Sequence, residues 1–318
     1  MMAITHVTTV VRSRRMETDR IVALELEDPD RWQLPPFTAG AHVDVVLPGG
    51  YVRQYSLCSD PVNDRCYRIG VLEVQDGRGG SAAVHRLAVG DNVPVSLPRN
   101  HFPLATSAGR HILIAGGIGV TPFLSMVPVL RRMGSRFILH VCTRSETATP
   151  FRSALTPLLA DHLACLHHDD GDPSRGLDVR RLLAAPKLGD HVYCCGPTPL
   201  MDAVAQAASH WPDGTVHFER FGAPPMEVGG SEAAYTVELA RSQREVTVKP
   251  GQTMAAALIA AGVAIDVSCE AGTCGTCRTR YLAGVPLHRD LVLRPAERAE
   301  FLMPCVSGCA GAHLVLDL

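Results

Sequence analysis

Ser268 to Cys277 reads SCEAGTCGTC, three cysteines in ten residues with only small side chains between them except Glu270. Cys269, Cys274 and Cys277 are separated by four and then two residues, and Cys305 follows after a gap of twenty-seven in MPCVSGC. A C-x4-C-x2-C run with a distant fourth cysteine is the spacing of a plant-type [2Fe–2S] centre. Several thiolates must converge on one small anionic cluster, so the loop has to wrap tightly. Gly272, Gly275, Ala271 and the threonines let backbone N–H groups approach the sulfurs. A structural zinc site is the competing reading, pairing Cys274-x2-Cys277 with Cys305-x3-Cys309. That reading leaves Cys269 unused. Cys309 also stands as an alternative fourth ligand on spacing alone. Cysteines serving merely as small hydrophobes fit so polar a loop badly.

The chain has eleven cysteines, an odd number, and five fall in its last fifty residues. A disulfide framework calls for secretion and even counts, so reduced thiols and a metal are expected. At 318 residues the chain exceeds what one hydrophobic core holds, and two or three domains are expected. A net charge of −2 with scattered arginines offers no basic field for nucleic acid. The most apolar run, Ala255 to Ile265, is too short to span a bilayer, and the N-terminal arginines follow the apolar residues, the reverse of a secretion signal. The expected location is the cytoplasm, with no membrane association.

Apolar–polar patterning divides the chain in three. The first hundred residues alternate in short runs, HVDVVLP, YRIGVLEV and DNVPVSLP, which predicts an antiparallel β-barrel. Beyond Ser107, HILIAGG predicts a buried strand and PFLSMVPVLRRMG a helix ending on Gly134, with a kink or an early end at Pro128. RFILHVC predicts a second strand, and VYCCGPTPLMDAVAQAA a third running into a helix that Thr198 caps, with Pro199 in its first turn. Alternating strand and helix predicts a parallel sheet of dinucleotide-binding type. GAPPMEVGGSEAA has linker composition, and the remainder predicts a small α+β unit carrying the cysteine loop.

A one-electron cluster needs a source of electrons, and two further motif pairs suit one. In RQYSLCSDP, Arg53 can meet a phosphate, the Tyr55 ring can pack on an isoalloxazine, and the Ser56 hydroxyl can meet its polar edge. GRGGSAAVH adds a glycine-rich turn ending in Ser81 at a helix start, a phosphate site that includes Gly80. AGGIGVTP, with Gly116, Gly117, Gly119, Thr121 and Pro122, follows a buried strand and opens a helix, the context of a pyrophosphate turn. CCGPTPLM, with Cys195, Gly196 and Pro197, supplies a second strand end and helix start.

In this order RQYSL, GGIGVTP, CGPTPLM and CEAGTCGTC resemble the phthalate dioxygenase reductase family, which includes vanillate O-demethylase reductases, over essentially the whole chain. The resemblance implies a multidomain chain: an FMN-binding antiparallel β-barrel over 1–105, an NAD-binding α/β parallel-sheet domain over 106–225, a linker over 226–232 and a [2Fe–2S] ferredoxin domain of β-grasp type over 233–318. It implies that Arg53, Tyr55, Ser56, Gly80 and Ser81 hold FMN. Gly116, Gly117, Gly119, Thr121 and Pro122 line the NADH site, and Cys195, Gly196 and Pro197 lie by the nicotinamide. Cys269, Cys274, Cys277 and Cys305 bind the cluster, and Phe221 in HFERFG lies beside the flavin. The partner implied is a separate terminal oxygenase, of Rieske non-haem iron type, acting on an aromatic compound. A cytochrome P450 or other acceptor, a stand-alone flavin reductase with a zinc tail, and a redox sensor are the rival readings. HHDDGD is read as a solvated loop, and Arg144 as the residue through which NADPH would compete with NADH. Residues 233–318 carry eight acidic and eight basic side chains, so docking through a simple acidic patch is not expected.

Overall fold

A computed structural model describes residues 6–49, 51–75, 77, 79–221, 233–267, 272, 275–290 and 292–318. The chain falls into two compact units, Met1–Phe221 and Gly222–Leu318.

The first unit opens with six antiparallel strands, β1 (His6–Met16), β2 (Ile21–Glu27), β3 (His42–Leu47), β4 (Tyr51–Ser56), β5 (Tyr67–Leu72) and β6 (Asn92–Ser96), with helix α1 (Gly80–His85) between the last two. Their order is β4-β3-β6-β1-β2-β5, and a bridge between Leu57 and Ile69 joins the two ends. The alternation predicted from the sequence turns one face of each strand inward. Val22, Leu24 and Leu26 on β2, Val43 and Val45 on β3, Ile69 on β5 and Val95 on β6 are fully or almost fully buried in one core. Ala83 and Val84 of α1 plug the same core.

A parallel sheet follows, built from β7 (Arg110–Gly116), α2 (Thr121–Arg132), β8 (Arg136–Thr143), α3 (Arg152–Ala160), β9 (Ala164–His168), α4 (Val179–Leu183), β10 (Asp190–Cys195), α5 (Thr198–Ala207) and β11 (Val216–Glu219). Its order is β11-β10-β7-β8-β9, every neighbour parallel. β7 is central and apolar on both faces, Leu113 and Ala115 entering one core and Ile112 and Ile114 the other. Chain order reverses at β7, so a crevice opens outside the carboxyl ends of β7 and β10. Within the unit, Arg132 makes two hydrogen bonds to Asp60, at 2.7 and 2.8 Å, and the Gly40 N–H donates to Ser125 Oγ at 3.0 Å, tying sheet to barrel.

Two local expectations are corrected. Helix α2 does not end at Pro128 but runs on to Arg132. Proline removes one internal hydrogen bond there, while Phe123, Met126, Val127 and Leu130 are buried in the core and outweigh that loss. Thr198 is the first helical residue of α5 rather than its cap; Pro197 occupies the cap position, where its fixed φ of −60° suits the extended entry.

The second unit contains β12 (Tyr235–Leu239), β13 (Arg244–Val248), α6 (Met254–Ala260), β14 (Thr279–Ala283), β15 (Pro286–Leu287), β16 (Phe301–Leu302), β17 (Gly308–Cys309) and β18 (His313–Leu316). Five strands form a mixed sheet ordered β13-β12-β18-β14-β16, with β12 and β18 parallel. Thr253 caps α6 by accepting the Ala256 N–H at 3.1 Å, and Met254, Ala257 and Leu258 press the helix onto the sheet. Among the described residues, no helix is long and apolar enough to cross a membrane.

Candidate functional site

The barrel supplies the first part. Arg53 and Gly80, far apart in sequence, meet: a Cβ on Gly80 would stand 2.6 Å from Arg53 Cγ and Nε, so the guanidinium stem lies across the glycine turn that opens α1. Only a residue without a side chain leaves room for both, which makes the turn and the arginine one cradle. Ser81 Oγ accepts the Val74 N–H at 3.1 Å and so holds the turn closed. Tyr55 is half-buried against the barrel core. Burial pushes its phenol well up, against the opposing pull of the Arg53 charge, so its ring stays neutral and apolar.

The crevice supplies the second part. Its two glycine turns interlock backbone to backbone: a Cβ on Gly119 would stand 2.2 Å from the Cys195 carbonyl oxygen, and one on Gly116 2.5 Å from Pro197 Cδ. The cleft beyond them has a volume of about 530 Å³ and is lined by Gly116, Gly117, Ile118 and Pro197 at the turns and by Arg144, His167 and Asp169 at the ends of β8 and β9. Thr121 and Pro122 are buried behind the turn, and the Thr121 hydroxyl donates to the Ile118 carbonyl at 3.0 Å. They shape the turn rather than line the cleft. His167 does not lie in a wholly solvated loop: it is the penultimate residue of β9, lines the cleft and sits 3.0 Å from His140, ring nitrogen to ring nitrogen.

At the inner end of the crevice Ser56 Oγ donates to Glu219 Oε2 at 3.0 Å. Sequence reasoning missed Glu219, because nothing local to HFERFG announces a partner 163 residues away on the barrel. Burial pushes the Glu219 carboxyl up to about 8, the Ser56 hydrogen bond opposing it. Burial, with help from Glu219, pushes the neighbouring Cys195 thiol well above its ordinary value. Cys195 is therefore a neutral thiol and no nucleophile. Phe221 is 38% exposed at the end of this unit.

The third part lies in the second unit. Cys277 and Cys305 are buried with their sulfurs 3.2 Å apart, far beyond a disulfide bond, in an apolar pocket with Ala255, Leu293 and Met303. Cys269 and Cys274 lie outside the described residues. Cys309 belongs to a different core, on β17, where its sulfur accepts the Gly311 N–H at 3.3 Å. A pair of adjacent thiols with a third cysteine held elsewhere fits a [2Fe–2S] donor set that ends on Cys305, and fits the zinc pairing poorly.

Comparison with known proteins agrees with this anatomy. Residues 237–309 match the 2Fe-2S iron-sulfur cluster binding domain family. Phthalate dioxygenase reductase of Burkholderia cepacia is 44% identical over 300 residues, 94% of this chain and 93% of its own. Vanillate O-demethylase oxidoreductase of Pseudomonas sp. (strain HR199 / DSM 7063) is 42% identical over 315 residues, 97% and 99% of the two chains. Among solved structures, phthalate dioxygenase reductase, described as a modular structure for electron transfer from pyridine nucleotides to [2Fe–2S], superposes with a TM-score of 0.79 at 42% identity over 98% of both chains. An intact type IV self-sufficient cytochrome P450 monooxygenase gives 0.85 at 37% identity, over 98% of this chain and 41% of that one. With its barrel, its parallel nucleotide sheet and its cysteine-bearing ferredoxin unit in this order, the chain belongs to the phthalate dioxygenase reductase family.

Proposed function

We propose that the protein is an NADH-dependent reductase that passes electrons through FMN and a [2Fe–2S] cluster to a separate terminal oxygenase. The observation that carries this reading is the meeting of Ser56 on the barrel with Glu219 beside Cys195 at the inner end of the crevice, which brings a flavin strand and a nucleotide turn to one point. In this reading residues 1–105 form the flavin domain, 106–225 the nucleotide domain, 226–232 the linker and 233–318 the ferredoxin domain. Arg53 and Gly80 would hold the flavin phosphate, and Tyr55 and Ser56 its ring. Gly116, Gly117 and Pro197 would face the dinucleotide, and Cys269, Cys274, Cys277 and Cys305 would ligate iron. The flavin, when bound, supplies the conversion of a two-electron hydride into single electrons that a one-electron cluster can accept.

The chain's own contribution is placement and charge. The interlocked turns let backbone approach a pyrophosphate closely. Glu219, neutral below about pH 8, keeps a proton beside the Ser56 hydroxyl without setting a negative charge next to a hydride path. The neutral Cys195 thiol packs there without reacting.

The partner favoured is a terminal oxygenase acting on an aromatic compound, in line with the names of the phthalate and vanillate relatives, and its Rieske non-haem iron type is carried over from the family resemblance alone. A haem oxygenase is the second reading, supported by the cytochrome P450 chain whose reductase portion matches this one. The cytoplasm is the compartment this reading calls for, because thiols that ligate iron need a reducing environment. The test is a visible spectrum of anaerobically purified protein before and after NADH, with flavin and iron assayed on the same sample. Bleaching of both flavin and iron–sulfur bands supports the reading, and flavin bleaching in a protein without iron refutes it. Turnover with a purified Rieske oxygenase against a purified P450 then decides the acceptor.

A further inference from the structure

The loop after β15 buries a carboxylate that no step above employs. Asp290 is 2% exposed, and its side chain is enclosed completely. Oδ2 accepts the N–H groups of Val292 and Leu293 at 3.3 and 2.8 Å. Oδ1 has no hydrogen-bond partner among the described residues, and His288 Nδ1 stands 3.6 Å from it. Arg298 Nη2 donates to the Asp290 carbonyl at 2.9 Å and lies 3.8 Å from Oδ2. Among the described residues the buried nitrogens His288 Nδ1 and Arg298 Nε also have no hydrogen-bond partner. Among the described residues this buried group is only half satisfied, and burying charge in that state is costly.

Gly272, the one described residue between the first two cysteines of the motif, packs against this group. Gly272, between Cys269 and Cys274, has φ +67° and sits in a notch. A Cβ there would stand 2.7 Å from Val306 Cγ2 and 3.1 Å from Asp290 Cα. Val306 follows Cys305 directly, in the turn between β16 and β17, so the notch holds Gly272 between Asp290 and the turn that carries the fourth cysteine. A charge buried at this position acts through little solvent on whatever the cysteines hold, and net charge near an iron–sulfur cluster is one of the terms that sets its potential.

We infer that Asp290 is a positioning residue for the iron–sulfur loop, clamping it at Gly272, and that the Asp290–Arg298–His288 group tunes the potential at which the cluster accepts and releases its electron. Asp290 holds the potential down and makes the reduced cluster the stronger donor, while Arg298 opposes it. This inference rests on the iron–sulfur assignment, which the iron and sulfide content of the wild-type protein tests separately.

The experiment compares wild type, Asp290→Asn and Arg298→Gln in the full chain. Iron and sulfide per chain are assayed, and the cluster midpoint is measured by anaerobic dye-equilibrated titration followed by electron paramagnetic resonance. Asp290→Asn is expected to move the midpoint to a more positive value and Arg298→Gln to a more negative one, a pair of opposite signs that loosened packing would not produce. Unchanged midpoints in both variants, or shifts of the same sign, overturn the inference. If Asp290→Asn loses its iron while keeping its flavin, the clamp is supported. Arg298→Gln, at a side chain 40% exposed, then carries the sign test alone, a midpoint unchanged or more positive counting against tuning.

Discussion

Replacing Glu219 by glutamine should change how stability depends on pH more than it changes stability itself. In the folded chain burial pushes the Glu219 carboxyl from its ordinary 4.5 up to about 8. Folding therefore takes up a proton between these values, and the folded state loses stability as pH rises from about 4.5 to about 8, then levels off. Each pH step across that window is worth about 1.4 kcal/mol, which sets an upper bound of roughly 5 kcal/mol. Glu219 retains some accessible surface, so a loss of about 2–5 kcal/mol is the working figure. Glutamine keeps the shape and an oxygen that can accept from Ser56, and it cannot ionise. Urea unfolding of both proteins, flavin-loaded, at pH 5 and pH 9 isolates the effect, because other titrating groups cancel in the difference. The two should be close in stability at pH 5, and the variant should be more stable by the amount above at pH 9. Parallel pH profiles would show that Glu219 is solvated, and the proton held beside Ser56 would have to be abandoned.

Gly119→Ala places a methyl 2.2 Å from the Cys195 carbonyl oxygen, so one of the two crevice turns must move. A destabilisation on the order of 1–3 kcal/mol is expected, with weaker NADH binding by titration. Cys305→Ser should remove the iron–sulfur absorbance while NADH still bleaches the flavin, whereas Cys309→Ser should leave iron content unchanged. Asp190 sits under Arg110 in a two-bond pair at 3.0 and 2.6 Å. Burial raises its carboxyl, but the Arg110 hydrogen bonds and the Lys187 N–H outweigh that and hold it below the usual range. Its stabilisation is present above the usual carboxylate range and fades as pH falls through the depressed value, so Asp190→Asn should lower the melting temperature at pH 7 and flatten the acid limb.

What the sequence made legible were features whose cause is local. Alternation in HVDVVLP and YRIGVLEV reports one buried face, and the unbroken HILIAGG reports two, so barrel and sheet could be told apart. Glycine placement marked both crevice turns. Features settled by distant contacts were not legible: Glu219 acquires its role only through Ser56, and Arg53 joins Gly80 only because α1 returns to the barrel. Spacing left Cys305 and Cys309 interchangeable, and only their separate cores distinguish them. The early end expected at Pro128 does not occur because apolar burial along α2 exceeds one missing hydrogen bond, and a local proline rule does not weigh that.

The thiols of the nucleotide sheet bear on durability in air. Burial pushes Cys142 and Cys194 up to about 12 and Cys195 well above its ordinary value, with Asp169 and Glu219 adding to the shift at Cys142 and Cys195. Peroxide and alkylating agents attack thiolates, and these three positions hold almost none at neutral pH. Cys142, Cys194 and Cys195 are thus chemically quiet, which leaves the partly buried Cys165 on β9 as the remaining thiol of this sheet. Under the proposed function, oxidative ageing should begin among the cysteines proposed to ligate iron, and loss of coupling to the acceptor should precede loss of NADH oxidation.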